Sequence, residues 1–161
     1  VLRARSDINV ALHSHTRAGT AVSAMECGLL PLSQQANEIG NLVCYHRYDV
    51  ATDNEDECAR LGKDLADKWA MIMNNHGLLT VGRDMAEAFY LLYTLENACK
   101  IQVDVMASGA KQIIPSPEAI AAVAQFSLIG KAKAGDPESY LQRNWQVLVR
   151  MLDHEDQSFR Q

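Results

Sequence analysis

The chain has 161 residues, 48% of them apolar and 22% charged, with a net charge of -5 and a pI near 5.5. That is enough for one domain with a proper core, and it argues against disorder over most of the length. The acidic balance, with only Lys131 and Lys133 as a scattered basic pair, argues against a nucleic-acid surface, which needs clustered Lys and Arg. No apolar run approaches the roughly 20 residues that span a bilayer.

In chain order, Val1 to Arg5 reads as the end of a helix, so further residues are expected upstream, and no secretory leader is visible. Ile8 to His15 is rich in apolar and β-branched residues and predicts a strand. Thr16 to Cys27 predicts a helix, with Thr16 as N-cap and Gly28 just past the end. Leu29 to Gly40 reads as a short strand followed by irregular chain, and Asn41 to Val50 as another strand. From Asp53 to Trp69, Cys58, Leu61, Leu65 and Trp69 recur at helical spacing behind an acidic first turn. Met71–Met73 and Leu78–Val81 predict two short strands. Asp84 with Glu87 forms a capping box for a helix running to about Ser108, closed by Gly109. Ser116-Pro117 and Asp136-Pro137 each start a further helix, with Gly130 to Gly135 as the loop between them. Strands alternate with helices up to residue 108 and helices follow, a pattern that predicts a layered α/β domain.

The chemistry-bearing residues are histidines. In His13-Ser14-His15 the two imidazoles share one strand face, roughly 6.5–7 Å apart along the chain, and can converge on a metal, while Ser14 points into the fold. Alone, the pattern reads equally as two polar residues at a strand end. A third histidine, His76, also follows a short buried strand, with Gly77 beside it permitting close approach. Strand ends are where α/β folds place their sites, and three imidazoles with one open position are the pattern of a catalytic zinc. A helix starting near Thr16 would add free N–H groups for an anionic ligand. Arg17 reads as either a helper there or a surface residue, and Asn74 and Asn75 as either outer-shell partners or turn formers. His46 reads as a strand-surface or interface histidine. Glu26 and Glu38 are candidate bases only through nearness in sequence. Cys27, Cys44, Cys58 and Cys99 contain no CxxC pair, which points to free thiols in a reducing cytoplasm.

His13 to Gly19 followed by Thr20-Ala21-Val22-Ser23-Ala24, together with Asn75-His76-Gly77-Leu78-Leu79, Val81-Gly82 and the helix from Asp84, resembles the class II aldolase/adducin family. The intervals agree over residues 1 to about 108, and the two motifs are specific only together. The resemblance implies a three-layer α/β/α sandwich with a mixed central sheet, followed by C-terminal helices. The chain would be a single domain covering the C-terminal two-thirds of the family unit, with a helical extension over 110–161.

By the same resemblance, His13, His15 and His76 would hold Zn2+ or another divalent metal; from the helix start and the turn beside these ligands, Thr16, Arg17, Asn75 and Gly77 are the expected substrate-binding residues. The implied activity is that of an aldehyde-lyase of the aldolase type, acting in the cytoplasm on a hydroxy-ketone or sugar phosphate through a zinc-stabilised enediolate, in a homo-oligomer, perhaps a tetramer. No nucleic-acid or membrane partner is expected. Family aldolases take their glutamate and glycine-rich phosphate loops from the segment before the H-x-H motif, which this chain does not include, so the base is expected upstream of Val1. The tyrosine that some members use after the H-x-H helix is replaced by Pro31-Leu32-Ser33-Gln34-Gln35. That run and the long C-terminal helices look closer to bacterial adducin-like members. A non-catalytic adducin-like interaction module, or epimerase or dehydratase chemistry on the same metal site, is the alternative.

Overall fold

The structure, a computed structural model, describes residues 1–47, 55–129, 131 and 133–160. Tyr48 and Val50 of one expected strand, Asp53 at one expected helix start and Gly130 of the expected loop lie outside the described residues. Among those described, a four-stranded sheet runs in the order β1-β4-β3-β2, built from β1 (Val10–Ser14), β2 (Val43–His46), β3 (Ala70–Met73) and β4 (Gly77–Gly82). β4 is antiparallel to both β1 and β3, whereas β2 and β3 are parallel. The sheet is therefore mixed, as the resemblance implied.

Alternation along β3 and β4 separates two apolar layers, because successive strand side chains point to opposite faces. Ala70, Ile72 and Leu78 pack with the helices α1 (Arg17–Ser23), α2 (Gln34–Ile39) and α4 (Met85–Ala107). Met71, Met73, Leu79 and Val81 pack with Leu61 and Leu65 of α3 (Glu55–Leu65) and with Ile8. Both strands are buried on both faces, which is why they read as continuous apolar runs rather than as clean alternation.

α4 begins as its sequence requires. The Asp84 carboxylate accepts the Glu87 amide at 3.0 Å, while the Glu87 carboxylate reaches back one residue further than a reciprocal capping box, to the Arg83 amide. Burial would raise the Asp84 pKa, but hydrogen bonds from the Glu87 and Gly135 amides, together with the Gln142 side chain and the Ala86 amide, offset this and hold it below the usual carboxylate value. Thr80 ties β4 to α4 by donating to the Ala88 carbonyl at 2.9 Å. α5 (Pro117–Ala124) packs against α2, and α6 (Tyr140–Glu155) against α4, where Trp145 meets Phe89 with ring centroids 5.4 Å apart.

Three local expectations are corrected. Leu29 to Gly40 contains no strand; Ser33 caps α2 by accepting the Ala36 amide, and six residues are too few to show a helical period. α6 starts three residues after Asp136-Pro137, capped by Ser139, because the Asp136 carboxylate is used in a turn with the Glu138 amide. α1 ends at Ser23, and Gly28 takes its positive φ of 61° in the turn that follows.

Candidate metal centre

Antiparallel register brings the histidines together. Ser14 pairs with Leu78, so the residues just past the end of β1 lie beside those just before β4. His15 and His76 occupy those positions, and His13 lies one pleat back on the same face as His15. One donor nitrogen from each of the three rings falls within 4.8 Å of the others, and the ring centroids are 4.5, 4.7 and 4.9 Å apart. His13 and His15 are exposed and His76 is half-buried, so the cluster opens to solvent on one side.

The protons are arranged for ligation at His13. Its Nδ1 lies 2.7 Å from the Leu78 carbonyl oxygen, which can only accept, so Nδ1 carries the hydrogen and Nε2 presents a lone pair. That Nε2 is 2.6 Å from Nε2 of His15. Burial, followed by repulsion from His13 and His15, holds the His76 pKa below the ordinary histidine value. The ring therefore favours the neutral form, the one that ligates. Three imidazoles converging from one side fit a divalent ion of the zinc type.

The turn that carries His76 is held at several points. Its amide donates to the Met73 carbonyl at 3.0 Å, Asn74 N–H donates to the His46 carbonyl at 2.8 Å, and Asn75 N–H donates to the Ser23 carbonyl at 3.0 Å. Asn75 has φ 57°, a left-handed conformation that asparagine tolerates better than most residues. The Thr20 hydroxyl donates to the His76 carbonyl at 3.3 Å. Gly77 leaves room for chain rather than ligand, since a Cβ there would lie 2.3 Å from the Ser14 carbonyl oxygen and 3.1 Å from His15 Cδ2.

Thr16 occupies the N-cap position of α1 without capping it by its side chain; its hydroxyl instead donates to Glu96 of α4 at 2.5 Å. Arg17 is exposed at the first position of α1. Glu26 is exposed, and Glu38 accepts a hydrogen bond from the Tyr90 hydroxyl across the α2–α4 contact. Burial and that carboxylate push the Tyr90 pKa up. His46 is 3% exposed, not a strand-surface residue, because α3 covers it. Its Nε2 lies 2.6 Å from Glu57 and its Nδ1 lies 2.7 Å from Asp64, and Glu57 also pairs with Arg60. Sequence reading does not reach Glu96 or Thr20. The only sign of Glu96 is a carboxylate next to the apolar stripe residue Leu95, and its partners lie 77 and 80 positions away. Ser14 does turn its hydroxyl into the fold, where Oγ is buried with no hydrogen-bond partner among the described residues.

Residues 1–103 match the family model described as the Class II Aldolase and Adducin N-terminal domain. A Pseudomonas aeruginosa protein that carries an aldolase class 2 name is 40% identical over 159 residues, covering 98% of this chain and 60% of its own length. Mouse alpha-adducin is 37% identical over 161 residues, covering 96% of this chain and 22% of its own. The chain thus spans less than two-thirds of the first relative and under a quarter of the second. Among solved structures, an aldolase II superfamily protein from Pseudomonas syringae superposes with a TM-score of 0.88 at 38% identity, over 99% of this chain and 62% of that one. The L-fuculose 1-phosphate aldolase from Glaciozyma antarctica superposes at 0.71 with 22% identity, over 95% of this chain and 56% of that one, a likeness of fold.

Proposed function

This chain belongs to the class II aldolase/adducin family, and on that premise we propose that it is the metal-holding part of a lyase that cleaves or forms a carbon–carbon bond in a small hydroxy-carbonyl compound. The observation that supports this is the convergence of the donor atoms of His13, His15 and His76 within 4.8 Å on an open sheet end. A divalent ion held there, zinc by the all-imidazole donor set, would act as a Lewis acid toward neighbouring carbonyl and hydroxyl oxygens of the substrate.

The chain's own residues divide the remaining work. The Leu78 carbonyl fixes the tautomer of His13, and the Ser23 carbonyl and Thr20 hydroxyl fix the Asn75–His76 turn. Arg17, exposed two residues beyond His15, is the cation we assign to an anionic group of the substrate, a phosphate in the sugar-phosphate reading. Asn75 and Gly77 shape the wall beside His76. Thr16 has committed its proton to Glu96 and can only accept from a substrate. The base is assigned to residues outside this chain. The proposed setting is a reducing cytoplasm, consistent with four free cysteines, and no helix among the described residues is long and apolar enough to cross a membrane.

The test is a cleavage screen of ketose phosphates and free hydroxy-ketones with the intact protein after reconstitution with Zn2+. Retro-aldol products that depend on the metal support the lyase; no turnover in the whole panel sinks it. Epimerised or dehydrated product would move the assignment to those reactions on the same site. A second reading, a non-catalytic interaction module, is favoured by the 37% identity to alpha-adducin over nearly the whole chain. We also propose a homo-oligomer, a tetramer by the resemblance. Tyr93, Tyr140, Val147, Met151 and Leu152 leave apolar surface on α4 and α6 that a second copy would bury. Light scattering at micromolar concentration should report more than one chain per particle, and a monomer refutes it.

A further inference from the structure

We infer that Glu96 is a positioning residue that sets the spacing between the His13–His15 pair and His76, acting through α1. The inference deepens the metal reading above and rests on it for its functional meaning. α1 connects the two halves of the cluster. Its N-cap, Thr16, directly follows His15, and its flank holds the other half through Ser23 C=O to Asn75 N–H at 3.0 Å and Thr20 Oγ1 to the His76 carbonyl at 3.3 Å. Any shift of α1 therefore moves His15 and His76 relative to each other.

α1 has seven residues, too short to hold itself, since isolated helices below about 12–15 residues are marginal. Its Thr16 side chain makes no cap bond, so the first-turn N–H groups need another acceptor. Glu96 supplies it from α4. A single oxygen, Oε2, accepts both the Thr16 hydroxyl at 2.5 Å and the Gly19 amide at 3.2 Å, while Oε1 faces Lys100 Nζ at 3.8 Å. The carboxylate is largely enclosed, with its side chain 13% exposed. Gly19 allows the close seating: a Cβ there would meet Leu78 Cδ1 at 2.6 Å and Thr16 Oγ1 at 2.8 Å. The same Leu78 lends its carbonyl to His13, so α1, β4 and the histidine cluster form one packed unit with Glu96 as its tie to α4.

Because one oxygen takes both bonds, a glutamine amide oxygen can replace it and an alanine cannot. The experiment compares wild type with Glu96→Gln, Glu96→Ala and Thr16→Val in the intact protein. It uses amide hydrogen exchange of the metal-free forms and Co2+ titration followed by the visible spectrum. Expected in Glu96→Ala is faster exchange at Gly19 and Asn75, by about tenfold for one lost hydrogen bond, with β3–β4 amides unchanged. Co2+ affinity should fall by roughly 10–100-fold with an altered spectrum, and Glu96→Gln should restore both. Thr16→Val, which removes only the hydroxyl, should move the same two amides and decides the matter if Glu96→Ala fails to fold. Wild-type exchange at Asn75 in Glu96→Ala, or in Thr16→Val, overturns the inference. A wild type that takes up no Co2+ overturns the metal reading instead, and the exchange rates still decide whether Glu96 holds the cluster together.

Discussion

Replacing His15 by alanine should abolish the proposed lyase activity while leaving the fold standing. His15 lies just past the end of β1 and is exposed, so the variant opens no core cavity. Two imidazoles remain, too few to hold a tetrahedral catalytic ion firmly. The activity lost is large, because a Lewis acid at a reacting oxygen contributes several kcal/mol, and each 1.4 kcal/mol or so is a tenfold change in rate, giving a fall of roughly a thousandfold or more. The fold is secured elsewhere. One apolar layer packs Ile72 and Leu78 against Leu91 and Leu95, and the other packs Met71, Leu79 and Val81 against Leu65. A domain of this size does not need a metal in order to fold, as a zinc finger does. Far-UV circular dichroism and thermal melting, run beside the cleavage assay, should show a native spectrum and a melting temperature near that of wild type. An unfolded variant would make the metal structural; a variant that keeps full activity would remove His15 from the site.

The second large effect is expected at Gly77. Alanine there would place a Cβ 2.3 Å from the Ser14 carbonyl oxygen and 3.3 Å from the Ser14 carbonyl carbon. Both atoms are backbone, held in the β1–β4 ladder where Ser14 pairs with Leu78, so neither can swing aside as a side-chain tip would. Relief requires β4 to move away from β1, separating His76 from His15. Overpacking of this kind costs about 1–3 kcal/mol, which for a chain of this length is a fall in melting temperature of roughly 3–10 °C. Metal affinity should fall further than the stability loss alone explains, because the strain lies between two of the three ligands. Gly40→Ala provides the control: among the described residues nothing lies within 4 Å of a Cβ there, its φ is −56°, and the variant should melt at or slightly above wild type. Equal melting of Gly77→Ala and Gly40→Ala would contradict the close β1–β4 contact.

The parts of this architecture that were legible in the sequence are those set by local rules. Asp84 and Ser116 announce helix starts because the cap is a side-chain-to-amide bond only three residues long. The apolar runs of β3 and β4 announce buried strands. His13, His15 and His76 were legible as a set because the first two close one recognisable strand, the third follows another, and their separation carries the family pattern. What was not legible depends on residues far apart in the chain. His46 looked like a surface residue until Glu57 and Asp64, on a different element, enclosed it. α2 was invisible because it is short and mostly polar, with Ser33 as its only signal. Asp136-Pro137 imitates a helix start, yet its carboxylate serves a turn and Ser139 is the cap. Glu96 bonds to residues that no period or spacing connects to it. The register placing Ser14 opposite Leu78, which sets His15 beside His76, is likewise a property of strand pairing across the fold.

Whether the histidine cluster holds a metal is measured most directly by elemental analysis of the intact protein. Freshly prepared wild type, reconstituted with excess Zn2+ and freed of unbound ion, would be compared with His13→Ala, His15→Ala and His76→Ala. The predicted result is about one divalent ion per chain in wild type, from one three-histidine site, and a clear loss in each variant, with all four proteins folded by circular dichroism. A wild type that retains no metal after reconstitution, or a His76→Ala variant that retains as much as wild type, would contradict it.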